Sequence, residues 1–262
     1  MTVPPADVWI GLVSRPAQEV QLDAALFVIG AHGDPDVDVD AELGRLDELA
    51  NRCRPPTLDG LLRLLFVDEG FDGERDDYYD PRNSYLHKVL ARRRGLPITL
   101  SVLTLEVGRR CGVPLAPVNL PGHFLLRDRV DRAVFVDPFH RGAVIDIAGV
   151  ERLHASIRPG AAFDASLLDE PDAHGILRRV LNNLFGVFLQ RGDAPSLQWV
   201  LELRSRLPGS PVSDRRELAR VHAARGDYSQ AVTVLESALS DAGEADRDTL
   251  EQDIRRIAAK LN

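Results

Sequence analysis

Sulfur is scarce in this chain. Its 262 residues hold two cysteines, Cys53 and Cys111, and one methionine. Two thiols are too few for a disulfide scaffold and too sparse for a zinc cluster. No run of eighteen apolar residues occurs, so length excludes a membrane-crossing helix. Lysine is limited to Lys88 and Lys260; the other basic residues are arginine, which reads as genomic codon bias rather than function. Basic residues number 32 against 40 acidic ones, for a net charge of −8. That balance argues against nucleic acid or an acidic membrane surface as a partner. The first seven residues place no basic region ahead of an apolar stretch, so no secretory leader is expected and the cytoplasm is the expected location. What remains is ordinary for a globular protein, with 44% hydrophobic and 27% charged residues, enough for one large domain or two modest ones.

Residues 1–60 are predicted to be a helical segment packing on the core, with 20–29 and 41–53 as amphipathic stretches. Between them, residues 33–40 alternate acidic positions but lack the sixth-position glycine and distal glutamate of a calcium loop, and read as a solvated turn. After the apolar run 61–66, Gly70, Gly73 and Pro81 mark a long turn-rich loop. The pattern predicts a helix over 85–94, with Asn83 or Ser84 as its N-cap. Arg92, Arg93 and Arg94 complement the dipole at its C-terminus, and Gly95 stops it. These arginines also make an anion-binding role conceivable. Pro97 begins the next helix, where its missing N–H costs nothing. Ile98, Ser101, Val102, Leu105 and Val107 suit a buried central helix, which Gly112 closes.

Residues 120–126 and 133–137 look like two antiparallel strands around 127–132. A register centred on Val130 sets His123 opposite Asp137, Leu125 opposite Phe135 on the same face, and Phe124 opposite Val136 on the other. An imidazole beside a carboxylate is a pair in which the acid fixes the ring's tautomer and orientation. Such a pair can equally well cross-link two strands and bind nothing. His140 would complete a three-ligand set matching a catalytic zinc count. Residues so close along a strand point to different faces, however, so no metal and no cofactor are expected.

From about residue 172 the pattern is helical and repetitive. Arg191-Gly192-Asp193 and Arg225-Gly226-Asp227 lie 34 residues apart, the tetratricopeptide period. In the second copy, Leu218, Ala219, Gly226, Tyr228, Ala231, Ala238 and Leu239 fall where that consensus places large, small, turn, aromatic and small residues. The first copy, about 178–211, keeps Leu184, Phe188 and Gly192 but has Leu197 where alanine is expected. A last helix over 245–261 reads as a cap on the array.

The central order of helix start, His on the next strand and Asp on the strand after resembles the transglutaminase-like, cysteine-protease-like fold. In that family the helix opens Gly-x-Cys, and a second Gly follows the Cys by fifteen residues. Here Gly95 and Gly112 take the glycine places, and Pro97 stands at the nucleophile position. Glu69-Gly70-Phe71, Asn83-Ser84-Tyr85-Leu86, the run 92–101, the run 121–127, Asp137-Pro138-Phe139 and Leu181-Asn182-Asn183-Leu184 resemble the bacterial SirB-type family. That family joins a transglutaminase-like domain to tetratricopeptide repeats, and proline at the nucleophile position is shared within it. The resemblance implies an α+β fold: a transglutaminase-like core with a small antiparallel sheet over 61–170, and tetratricopeptide-like helices over 171–262. It implies no assigned reaction.

Acyl transfer in this fold needs a thiolate, an imidazole and an orienting carboxylate. Pro97 supplies no nucleophile. Cys111 is fourteen residues further on, roughly 20 Å along the helix at ~1.5 Å per residue, and reads as a small buried hydrophobe. Thr99 and Ser101 are the nearer alternative nucleophiles, and a hydroxyl facing His123 would make a Ser- or Thr-based hydrolase. The favoured expectation is a catalytically inactive adaptor that binds a protein or peptide. Its helical array and a remnant cleft would hold the partner, with Asn83, Arg94, Phe124, Phe139 and Tyr228 as candidate contacts.

Overall fold

The computed structural model describes residues 6–261, and these divide into two compact units, one up to Val180 and one from Leu181. The first unit begins with helices α1 (Ala6–Val13), α2 (Leu22–Gly33), α3 (Val39–Asn51) and α4 (Leu58–Leu62). Sequence periodicity marks α2 as amphipathic, yet it is buried continuously from Leu22 to Ala31. The reason is its surroundings, since α1, α3, α5 (Leu86–Arg92) and α6 (Pro97–Cys111) all pack against it. The acidic stretch after α2 does serve as a turn, and Asp38 caps α3 by accepting from the Ala41 N–H at 3.1 Å.

Helix α5 ends earlier than the sequence suggests. Its N-cap is Tyr85, and the residue that turns the chain is Arg93, at φ 59°, not Gly95. Gly95 belongs instead to strand β2 (Arg94–Gly95), which pairs in parallel with β1 (Asp72–Gly73). Helix α6 matches its prediction at both ends. Pro97 takes the first helical position, and Gly112 terminates the helix at φ 81° with its N–H on the Gly108 carbonyl. Most of α6 is buried, so it forms the spine of the unit.

Four antiparallel strands pack beside it in the order β3 (Leu115–Val118), β4 (Leu125–Asp128), β5 (Phe135–Asp137) and β6 (Ala143–Ile145). The sequence suggested only the middle two, because β3 and β6 are short and carry little alternation. The β4–β5 register also differs from expectation, with Leu126 facing Val136 and Arg127 facing Phe135. Pro121 and Gly122 form a turn, with Gly122 at φ 84° and the His123 N–H on the Leu120 carbonyl, so β4 starts only at Leu125. The shift is two residues, which preserves the face that each side chain occupies. Helix α7 (Ile147–Ile157) covers the sheet through Val150, against Val118, Leu120, Leu125 and Phe135. Helix α8 (Ala173–Arg191) carries the chain from the first unit into the second.

The second unit continues with α9 (Ala194–Ser205), α10 (Val212–Ala224), α11 (Tyr228–Asp241) and α12 (Glu244–Ala258). Both Arg-Gly-Asp copies do the same local work. Gly192 and Gly226 adopt φ 66° and 82°, and the following Asp193 and Asp227 cap the next helix by accepting from Ser196 and Gln230 N–H groups. Ala219, Ala231 and Ala238 are buried with Leu235, Leu250 and Ile257 in one core, where their small size lets the helices approach closely.

Candidate functional site

His123 and Asp137 meet despite the altered register. The same-face parity survives the two-residue shift, and Nε2 of His123 lies 3.0 Å from both carboxylate oxygens. Asp137 ends β5, and Pro138 then forces a tight 3-10 turn, Pro138–His140. That turn brings His140 back onto the same carboxylate, with its Nδ1 2.7 Å from Oδ2. The strand-face reasoning that separates His140 from Asp137 therefore fails at this point. Between them the backbone N–H groups of Phe139 and His140 donate to Oδ1 at 3.1 and 3.3 Å. Burial alone would raise the Asp137 pKa, but the hydrogen bond and charge of His123, followed by those of His140, hold it below the usual carboxylate range.

The pair is roofed over. His123 and Asp137 are 5% and 3% exposed. The Phe139 ring stands edge-on to the imidazole of His123 with centroids 5.9 Å apart, and Tyr78 packs edge-on to Phe139 at 6.3 Å. Arg75 lies 5.0 Å over the Phe139 ring and donates to its carbonyl at 3.0 Å. Phe139 and the loop before Pro81 thus pack over the His123–Asp137 pair. His140 is the opening, since about half of its side chain reaches solvent.

Both alternative nucleophiles are hydrogen-bonded to backbone carbonyls. Thr99 is fully buried; its hydroxyl accepts from the Leu96 N–H at 3.0 Å and donates to the Asn83 carbonyl at 2.7 Å. Ser101, also fully buried, donates to the Phe124 carbonyl at 3.3 Å, tying the second turn of α6 to the segment that carries His123. Cys111, at the other end of α6, donates to the Gly108 carbonyl. It lies beside Cys53, whose own thiol is pushed up to about 11, first by burial and then by Cys111.

The candidate binding residues scatter. Asn83 is wholly buried, and its amide is spent on the carbonyls of Asp77 and Tyr78 and on the guanidinium of Arg92. It organises the loop from inside. Arg94 is exposed and donates to the carbonyls of Gly70 and Arg93. Phe124 is buried, with the guanidinium of Arg179 5.4 Å over its ring. Tyr228 lies in the second unit, against that unit's core, with the Lys260 ammonium 5.4 Å over it. Sequence reading missed Tyr78, Arg75 and the second contact of His140. The Asp137-Pro138 dipeptide was the available signal for the last, since it favours a turn.

Pro97 opens the buried helix α6, and beside the antiparallel sheet His123 lies against Asp137. Residues 38–182, more than half of the chain, match the family described as the transglutaminase-like superfamily, and the chain belongs to it. Among its relatives, a UPF0162 protein of Xylella fastidiosa is 46% identical over 134 residues, covering 48% of this chain and 47% of that protein. A UPF0162 protein of Haemophilus influenzae is 29% identical over 154 residues, covering 56% of this chain and 57% of its own length. The F-box only protein 21 of Mus musculus is 36% identical over 151 residues, 54% of this chain but 23% of that protein. The matched region spans about half of the bacterial relatives and under a quarter of the mammalian one. No solved structure matches.

Proposed function

We propose that this protein is a non-catalytic member of the superfamily that acts as a protein- or peptide-binding adaptor. The observation that carries the reading is the state of the α6 N-terminus. Pro97 is buried at the first helical position, and the two hydroxyls that follow it are committed to backbone carbonyls. Acyl transfer requires a nucleophile whose proton the imidazole can take. His123 instead sits on Asp137 under an aromatic lid. Binding rests on the helices of residues 171–262, which we read as tetratricopeptide-like from their 34-residue period and their capped turns. Stacked helix pairs present an extended surface suited to a peptide segment. The reuse of the matched region as 23% of a larger relative agrees with a module that contributes to an assembly.

The test is to expose the full chain to an activated acyl ester and map adducts by mass spectrometry. Peptides selected on the same protein are then located by hydrogen-exchange footprinting. No acyl adduct at Thr99 or Ser101, and a footprint on residues 194–258, are expected. An adduct at either hydroxyl that disappears in His123→Ala would overturn the non-catalytic reading, and a footprint confined to residues 75–140 would overturn the assignment of binding to the helices.

A further inference from the structure

We propose that His123, Asp137 and His140 together hold one divalent transition-metal ion of the zinc class. Their ligand atoms, two imidazole nitrogens and one carboxylate oxygen, all lie within 4.8 Å of one another. Both ring nitrogens aim at a single carboxylate, from 3.0 Å for His123 and 2.7 Å for His140. Ligands bonded to zinc at about 2.0–2.2 Å stand roughly 3.4 Å apart around a tetrahedron, so the two imidazole–carboxylate contacts need to open by roughly half an ångström within a cluster that already spans no more than 4.8 Å. The exposed His140 gives it the freedom to do so.

Three features distinguish this cluster from an incidental hydrogen-bonded group. Asp137 is orientated before any metal arrives, because Oδ1 is held by the N–H groups of Phe139 and His140, while Oδ2 faces the His140 ring and both oxygens face that of His123. Such hydrogen bonds to a ligating carboxylate are the outer support that metal sites use. The donor set of two imidazoles and one carboxylate suits first-row divalent ions rather than calcium or magnesium. Two of the three donors are buried and the third is open, so an ion would enter from the His140 side and keep a position there for water or a ligand. Without metal, each contact is an N–H donating to Asp137; a tautomer shift in each ring would present a lone pair at the same place. The proposal concerns affinity for an ion, not turnover, and stands apart from the adaptor reading.

The experiment is calorimetric titration of the chelator-treated full chain with Zn2+, paralleled by Co2+ monitored through its visible absorption. One equivalent of Zn2+ and a tetrahedral Co2+ spectrum are expected. His140→Ala removes an exposed side chain, and an unchanged circular dichroism spectrum without metal would show that the fold is retained. It should weaken Zn2+ binding by more than the ~10–100-fold that losing a mere outer partner costs. Asp137→Asn should do likewise, and Zn2+ should raise the melting temperature of the wild type but not of His140→Ala. Wild-type affinity in folded His140→Ala, or no saturable binding by the wild type at 100-fold excess Zn2+, would overturn the proposal.

Discussion

A hydroxyl becomes a nucleophile only when a base can take its proton. Thr99 and Ser101 give theirs to the carbonyls of Asn83 and Phe124, which makes both of them fasteners between α6 and the loops beside it. The same logic applies to Asp80, the cap of the 3-10 turn Pro81–Asn83, which accepts from the N–H and the Nε of Arg82. Burial would raise its pKa, but those hydrogen bonds and the charges of Arg82 and Arg92 hold it below the ordinary value. A depressed carboxyl contributes stability that is full above its unfolded pKa and is lost as pH falls through the folded value. Asp80→Asn keeps a capping oxygen but loses the charge facing Arg82 and Arg92, and is therefore expected to be less stable than the wild type at neutral pH by up to about 1 kcal/mol. Urea denaturation across the acid range should show that difference closing as the pH falls below the carboxylate range.

Strands β1 and β2 contribute two residues each, yet they set the roof of the His123 site. A Cβ on Gly73 would lie 2.5 Å from both the Phe139 ring and the Phe139 carbonyl oxygen. Gly73 is thus where the loop backbone must pass closest to the aromatic lid. Because one of the atoms met is backbone, a rotamer change alone cannot relieve the contact. Gly73→Ala is expected to cost about 1–3 kcal/mol, as overpacking does, and chemical denaturation will measure it. A Gly73→Ala protein as stable as the wild type would mean that the lid sits less tightly than described. Turn chemistry made several elements legible in advance. Pro97 and Gly112 bounded α6, and the two Gly-Asp steps announced α9 and α11. Arg93 gave no such warning, since its left-handed conformation is stabilised by an ion pair to Glu69 and by the Phe71 ring beneath it.

Among the described residues, each of the two compact units has a buried apolar core of its own. That of the second is made of small and aliphatic side chains from α10, α11 and α12, among which Leu250 is fully buried. Leu250→Ala is expected to destabilise that unit by about 2–5 kcal/mol, the range for emptying a packed leucine site. Hydrogen exchange should report it as faster exchange of amides in α10, α11 and α12; unchanged protection there would contradict the packing described. Among the described residues no helix is long and apolar enough to cross a membrane, in keeping with the absence of long apolar runs.

Local chemistry, readable one segment at a time, already specified the helix ends at Pro97 and Gly112. These features depend on backbone preferences of single residues, which the rest of the molecule does not alter. The meeting of His123 with Asp137 was also legible, because side-chain alternation along strands survives a two-residue change of register. Three things needed the folded chain. Whether α2 was half-buried or wholly buried depended on how many helices surround it. Where the Thr99 and Ser101 hydroxyls bond depended on which carbonyls came within reach from residues 83 and 124. The position of His140 depended on a proline ending a strand one residue after Asp137, so that a side chain expected on the far face returned to the same carboxylate.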